Sequence, residues 1–141
     1  AQIRALADAG GVMGINLAPD FLAGDYLAAW DAIMAPVAGA DPATRQKYRM
    51  AAGPQLQAIP RPALAWVAHH VQHAVRVGGE EIVGLGGDLD GISLMPDGMD
   101  GVQNYGLIVD ALRTAGLTER QVELVCWRNM ARVFMQVLPP A

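Results

Sequence analysis

Two carboxylates in the second half of the chain are the first candidates for chemistry. Asp88 and Asp90 follow the glycine-rich apolar run from Ile82 to Gly87, and Gly91 comes directly after them. A carboxylate held at the end of a buried strand could exchange protons with a substrate as a general acid or base. The same residue types are also typical of a solvated turn in which Asp side chains hydrogen-bond their own backbone. The pattern alone leaves both interpretations open.

The three histidines raise the question of a metal site. His70 and His73 are spaced i and i+3, so they could share a ligand on one helix. A helical projection at ~100° per residue, however, puts His69 and His73 opposite the apolar stripe and His70 at its border. That stripe consists of Leu64, Val67, Val71, Ala74 and Val75. We therefore expect the histidines and Trp66 on a solvated or interface surface, and we assign no metal ligand to them.

Two short apolar runs are predicted to be the strands that position the candidate residues. Val12 to Leu17 and Ile82 to Gly87 have the form expected of parallel strands that are covered on both faces. Asn16 lies at the C-terminal end of the first run, as Asp88 does after the second. In β/α barrels, catalytic side chains project from the C-terminal ends of strands. Asn16, Asp88 and Asp90 are therefore the positional candidates for a site.

The segments around these strands are predicted to be mostly helical. Residues 1 to 9 have helical spacing, and Pro62 suits the first turn of a helix that runs to about Val77. Tyr105 to Ala115 has helical periodicity, and Thr118 to Gln121 is a capping box that opens the last helix. These helices surround the two strands in sequence.

Residues 19 to 61 are predicted to be an insertion. This segment is richer in Pro, Gly and Asp than its surroundings. Its apolar clusters, around Tyr26 to Met34 and Tyr48 to Met50, predict two short helices. We interpret residues 1 to 141 as part of a single domain with this helical insertion.

The order of the elements predicts an α/β fold. Strands that alternate with covering helices imply a parallel sheet. Two parallel strands cannot stand alone, because each would expose unpaired edges and an apolar face. We therefore expect the two strands to be neighbours, with further strands from additional chain or from another copy. The N-terminus already has the pattern of the middle of a helix, which predicts that the chain begins inside a larger protein.

Composition excludes several classes of function. The 141 residues are 52% apolar and 17% charged, so part of the apolar surface is expected to pack against something else. The net charge of −4 and the scattered basic residues argue against a nucleic-acid partner. No window reaches the roughly 18 apolar residues of a membrane span, so a soluble protein is predicted and a cytoplasmic location is favoured. The lone Cys126 has no cysteine partner and is most simply a small buried hydrophobe.

Several motifs follow one another in a fixed order along the chain. They are the strand Gly10 to Leu17, His70-Val71-Gln72-His73, Gly84 to Gly91, Pro96-Asp97-Gly98-Met99-Asp100 and Asn129-Met130-Ala131-Arg132-Val133-Phe134. In this order they resemble motifs of the renal (membrane) dipeptidase family of zinc peptidases. The chain departs from the family pattern at Leu89, where an aromatic residue is usual, and at Cys126-Trp127, where small residues are common. The resemblance covers nearly all of the chain except residues 19 to about 60.

The resemblance implies the C-terminal part of a (β/α)8 (TIM) barrel with two zinc ions that cleaves dipeptides. The family's metal ligands precede this segment, so no metal ligand is assigned here. Asp88 matches the family's catalytic aspartate, which implies that it takes a proton from the metal-bridging water and delivers it to the departing amine. Asn16 and Asp90 are assigned to the substrate pocket.

The sequence thus predicts part of a zinc-dependent dipeptidase that is inactive as this chain alone. Its expected partners are a dipeptide substrate and the remainder of the barrel or another copy of the chain, and a homo-oligomer is expected. The alternative is a non-catalytic interaction or assembly module derived from the same fold. The two differ in whether the complete protein carries the upstream zinc ligands.

Overall fold

The computed structural model describes residues 1–138 as an α/β fold around a two-stranded parallel sheet. The strands are β1 (Met13–Asn16) and β2 (Val83–Gly87). The helices are α1 (Gln2–Asp8), α2 (Pro19–Leu22), α3 (Gly24–Met34), α4 (Pro42–Ala51), α5 (Gly53–Gln57), α6 (Ala65–Gly78), α7 (Tyr105–Thr114), α8 (Glu119–Glu123) and α9 (Asn129–Val137). Two 3₁₀ turns, Ala35–Val37 and Val102–Asn104, and the π-helical segment Leu124–Arg128 lie between them. Within residues 1–138, no helix is both long and apolar enough to cross a membrane.

The two strands are parallel neighbours, which confirms the prediction from the two apolar runs. Met13 pairs with Val83, Gly14 with Gly84, and Ile15 with Leu85. The register then shifts, so that Asn16 pairs with Gly87. The irregularity therefore lies at the C-terminal end of the strand pair, where the candidate residues are found.

The core lies between the sheet and the helices that cover it. Val67 and Val71 of α6 are fully buried with Ile108 and Leu112 of α7 and with Val83 of β2. This burial explains why both helices show an apolar stripe in the sequence.

Side chains alternate along a strand, so every second residue faces away from this core. On that opposite side the strands carry glycines. Met130 of α9 packs here, and a Cβ on Gly84 would lie only 3.0 Å from its Cγ. Glycine at this position therefore lets α9 approach the backbone of β2 closely.

The inserted region, residues 19–61, contains four short α-helices rather than the two predicted. Pro19, Pro42 and Pro54 each stand in the first turn of a separate helix, α2, α4 and α5. Proline has no amide hydrogen, and its φ angle suits the first turn. Because amides of the first turn have no partner within the helix, proline there costs no hydrogen bond. The apolar clusters alone marked only α3 and α4, and the prolines were the signal for the others.

These short helices have a core of their own. Its buried members are Ala23, Tyr26, Met34, Ala52, Leu56 and Ile59, with Trp30 and Tyr48 packed against them. The inserted region is therefore packed around its own apolar side chains beside the main core.

Helix α6 begins at Ala65 and not at Pro62 as predicted. The carbonyl of Pro62 accepts a hydrogen bond from the Asp97 amide at 2.9 Å, so it serves a loop rather than a helix. Arg61 supports the same loop, since its guanidinium donates to the Met99 carbonyl and to Asp97 Oδ1, both at 3.2 Å. The loop after β2 is thus attached to the chain that precedes α6.

Asn129 at the start of α9 secures the N-terminal end of β2. Its side chain is 1% exposed, and Nδ2 donates to the carbonyls of Glu80 and Val83, both at 2.8 Å. The preceding helix α8 opens at the capping box predicted at Thr118 and continues through the π-helical segment into α9. One buried amide therefore satisfies two backbone carbonyls at the beginning of the strand.

Arg132, one turn further along α9, joins the loops that precede both strands. Its guanidinium donates to the carbonyl of Gly10 at 2.7 Å, before β1, and to that of Glu81 at 3.0 Å, before β2. The side chain of Arg132 therefore holds the N-terminal ends of the two strands together.

Candidate active site

Asp88 occupies an unusual backbone position at the C-terminal end of β2. Its φ angle is 68°, and it is the only residue other than glycine with positive φ in residues 1–138. Its carbonyl accepts hydrogen bonds from the amides of Gly91 at 3.1 Å and Ile92 at 3.2 Å. Left-handed backbone is uncommon for residues with a Cβ, and such positions cluster at functional sites. The turn therefore holds Asp88 in a conformation that costs conformational energy.

Gly91 leaves the space that the Asp88 carboxylate occupies. A Cβ on Gly91 would overlap with Oδ1 of Asp88. The φ angle of Gly91 is not positive, so glycine is needed here for room rather than for backbone freedom. The Asp-x-Asp-Gly pattern thus has a steric reason, in that its last residue accommodates the side chain of its first.

Asn16 and Asp88 meet at the ends of the two strands. Asn16 Nδ2 donates to Asp88 Oδ2 at 3.0 Å, and Asn16 Oδ1 accepts from the amide of Ala18 at 2.7 Å. Because a backbone amide can only donate, the Ala18 bond fixes which end of the Asn16 amide faces Asp88. The bond holds one carboxylate oxygen, and Oδ1 remains for another partner.

Asp90 does not join this pair. It is exposed, and its side chain makes no hydrogen bond or ion pair within residues 1–138. It follows Asp88 in the same turn, but its carboxylate is not held. The substrate contact assigned to Asp90 stays a prediction.

A cleft of about 220 Å³ opens beside Asp88. One side is formed by the loop after β2, from Asp88 to Leu94. The other is formed by the inserted region, which contributes Asp20, Tyr26, Trp30 and Arg49 among others. The cleft brings a carboxylate, aromatic surface and a guanidinium to the same edge of the sheet.

The residues of this second wall were missed in the sequence. Residues 19–61 were predicted as an insertion without a role in the site. The available signal was position, because the insertion begins at Pro19, three residues after β1 ends at Asn16. A segment that leaves the C-terminal end of a strand borders the site in a β/α architecture.

Two aromatic residues of this wall pack against each other. Tyr26 is 4% exposed, and its ring stacks on that of Trp30 with centroids 6.5 Å apart. Burial raises the pKa of the Tyr26 phenol, the nearby Asp20 raises it further, and Arg61 opposes the shift. The phenol is therefore neutral at physiological pH and acts here as packing surface.

His70 connects the wall to the main core. Its Nε2 lies 2.9 Å from the carbonyl oxygen of Leu22, the last residue of α2. A carbonyl only accepts, so Nε2 carries the hydrogen of this bond. His69 and His73 are exposed, as the helical projection predicts. The half-buried His70 therefore fixes α2 against α6.

The described residues do not fit a self-contained metal site. Within residues 1–138, no three His, Cys, Asp or Glu side chains are grouped so that they could hold a metal ion. Cys126 is only half-buried, where full burial was expected, and burial raises the pKa of its thiol. These side chains therefore do not by themselves make a three-ligand metal site within the part of the chain that the structure describes.

Comparison with known families gives a match along almost the whole chain. Residues 1–139 match the family model described as membrane dipeptidase (peptidase family M19). Among individual proteins, Dipeptidase 3 of Mus musculus is 38% identical over 71 residues, which is 50% of this chain and 14% of that protein. A Klebsiella pneumoniae protein, "Uncharacterized protein in pqqA 5'region", is 28% identical over 136 residues, or 96% of this chain and 39% of that protein.

A solved structure shows the same fold. The crystal structure of the probable dipeptidase PvdM from Pseudomonas aeruginosa matches with a TM-score of 0.72 at 20% identity. The match covers 94% of this chain and 38% of that chain. This chain therefore spans well under half the length of each of these relatives.

Proposed function

This chain belongs to the membrane dipeptidase family, peptidase family M19, and on that premise we propose that it supplies the catalytic aspartate of a dipeptidase. The observation that carries the proposal is the position of Asp88. The residue has left-handed backbone at the C-terminal end of β2 and lines a cleft, and its carboxylate accepts a hydrogen bond from Asn16. A strained and oriented carboxylate beside a cleft is typical of a catalytic group.

Asp88 is proposed to move the proton that dipeptide hydrolysis requires. The attacking water must lose a proton as it adds to the peptide carbonyl, and the departing amine must gain one as the C–N bond breaks. Oδ2 is engaged by Asn16, so Oδ1 would accept the proton and then donate it to the amine nitrogen. The same side chain acts first as base and then as acid, and it ends the cycle in its starting state.

Asn16 is proposed to position Asp88 in addition to its predicted contact with substrate. Its amide is fixed from behind by the Ala18 amide at 2.7 Å. It can therefore hold the Asp88 carboxylate in one orientation through the reaction. A fixed orientation matters because misplacement of a catalytic group by about 1 Å can cost 10²-fold in rate.

We propose a zinc site and further strands for the complete enzyme, in addition to what this chain supplies. The family is generally zinc-dependent, and two zinc ions are proposed with ligands from outside residues 1–138. Within those residues β1 and β2 pair only with each other, so each leaves its outer edge without a partner strand. We propose that further strands of a (β/α)8 barrel cover these edges, from additional chain or from another copy.

Asp88→Asn in the complete enzyme tests the proposal. Asparagine keeps the shape and tolerates left-handed backbone, but it cannot exchange the proton. Turnover of a dipeptide should fall at least ~100-fold, with zinc content unchanged. Asp90→Asn is the matched control and should have a smaller effect on turnover.

Two results would contradict this role. Near-normal turnover by Asp88→Asn would show that another group moves the proton. A parallel loss of zinc and activity would show that Asp88 serves the metals. A wild-type complete protein that hydrolyses no dipeptide would instead favour the alternative function, a non-catalytic assembly module with this fold.

A further inference from the structure

Two arginines of α4 lie beside the cleft without a carboxylate partner. Arg49 lines the same cleft as Asp88 and Asp20, yet within residues 1–138 no carboxylate oxygen lies within 4.0 Å of its guanidinium. Arg45, one helical turn earlier, also has no such partner in this part of the chain. Arg49 is exposed and no ion pair within this part of the chain neutralises its guanidinium, so it is accessible to a ligand.

The pair of arginines favours an anion at this point. Residues i and i+4 are neighbours on a helix surface, and like charges there repel each other. Both line an adjoining cleft of about 310 Å³, together with Trp30 and Gln46, and Asp88 does not line it. Trp30 and Arg49 are common to this cleft and to the one beside Asp88. Arg49 therefore stands where the two clefts meet, and Arg45 lies in the cleft that Asp88 does not line.

We propose that Arg49, supported by Arg45, is the specificity residue that selects dipeptides with an acidic side chain. The inference rests on the proposed function, because Asp88 defines where the scissile bond lies. A group bound between the two arginines would extend away from that bond into the adjoining cleft, which fits a side chain of the substrate. Arginine suits this role because its planar guanidinium can hold a carboxylate through two parallel hydrogen bonds.

The test compares matched substrates in the complete zinc-loaded enzyme. The ratio of kcat/KM for a dipeptide with Glu to the same dipeptide with Gln isolates the side-chain charge. The wild-type ratio should be about 10 or more, as expected for a hydrogen-bonded charge pair. Arg49→Gln should bring the ratio close to one, and Arg49→Lys should leave an intermediate value. Arg49→Glu should reverse the preference toward a dipeptide with Lys.

A control on the same helix separates specificity from folding. Lys47 is exposed on α4 and lines neither cleft, so Lys47→Gln should leave the Glu-to-Gln ratio unchanged. Competitive inhibition by free glutamate, compared with glutamine, gives a second readout and should weaken in Arg49→Gln.

The outcomes distinguish this inference from the function on which it rests. A wild-type ratio near one, or an Arg49→Gln variant that loses both substrates equally, would overturn the inference and leave the dipeptidase proposal intact. No hydrolysis of either substrate by the zinc-loaded protein would overturn the proposed function and the inference together.

Discussion

The two ends of the strand pair use their polar groups differently. At the N-terminal end, Asn129 and Arg132 donate to backbone carbonyls in and before the strands. At the C-terminal end, Asp88 is exposed, has left-handed backbone and faces a cleft. Polar side chains thus bind backbone within the chain at one end, and an exposed carboxylate borders a cleft at the other.

In β/α folds the two ends of the strands generally have different roles. Residues at the N-terminal ends of the strands stabilise the fold, whereas residues at the C-terminal ends carry function. Substitutions at the two ends should therefore separate stability from turnover.

The largest expected effect is on the chain in isolation. Residues 1–138 contain no metal-binding group of side chains, so the isolated chain should bind no stoichiometric zinc tightly and should hydrolyse no dipeptide. Metal analysis after dialysis and a dipeptidase assay test this. A content close to two zinc ions per chain would contradict the account and would direct attention to the histidines of α6.

The second prediction concerns the steric support of Asp88. In the complete enzyme, Gly91→Ala should lower turnover by about 10-fold or more, because the new Cβ displaces the carboxylate from its position. Gly39→Ala is the matched control, since no atom lies within 4 Å of a Cβ at that position. Normal turnover by Gly91→Ala would mean that the observed orientation of the Asp88 carboxylate is not the active one.

The third prediction concerns the opposite end of the strands. Asn129→Ala should lower the free energy of unfolding by about 1–3 kcal/mol, because two backbone carbonyls lose their donor. Turnover of the folded enzyme should stay near the wild-type value. Gln136→Ala, at an exposed position of the same helix, serves as the control in denaturant unfolding. A loss of turnover without a loss of stability would remove the distinction between the two ends.

The two strands, the residues at their C-terminal ends and one helix cap could be predicted from local sequence patterns. A continuous apolar run of about six residues is short for a helix and typical of a buried strand, and the two runs proved to be parallel neighbours. Asn16 and Asp88 followed from position, because both stand where a strand ends. The capping box at Thr118 was predictable because its two hydrogen bonds depend only on residues three apart.

Tertiary contacts were not predictable in the same way. Asn129 and Arg132 were recognised as part of a motif, but their partners lie about 50 to 120 residues away in sequence. The cleft wall around Trp30 and Arg49 depends on how the inserted helices lie beside the loop after β2. Periodicity describes one helix at a time and carries no information about such packing.

The most direct test of the central claim is Asp88→Gly in the complete enzyme, with turnover and unfolding measured on the same preparation. Glycine adopts φ near 68° without strain but has no group to move a proton. The account predicts that turnover falls at least ~100-fold while the free energy of unfolding stays the same or rises by up to about 1 kcal/mol. A variant that retains turnover, or one that loses activity only because it unfolds, would contradict the claim that Asp88 is held for catalysis.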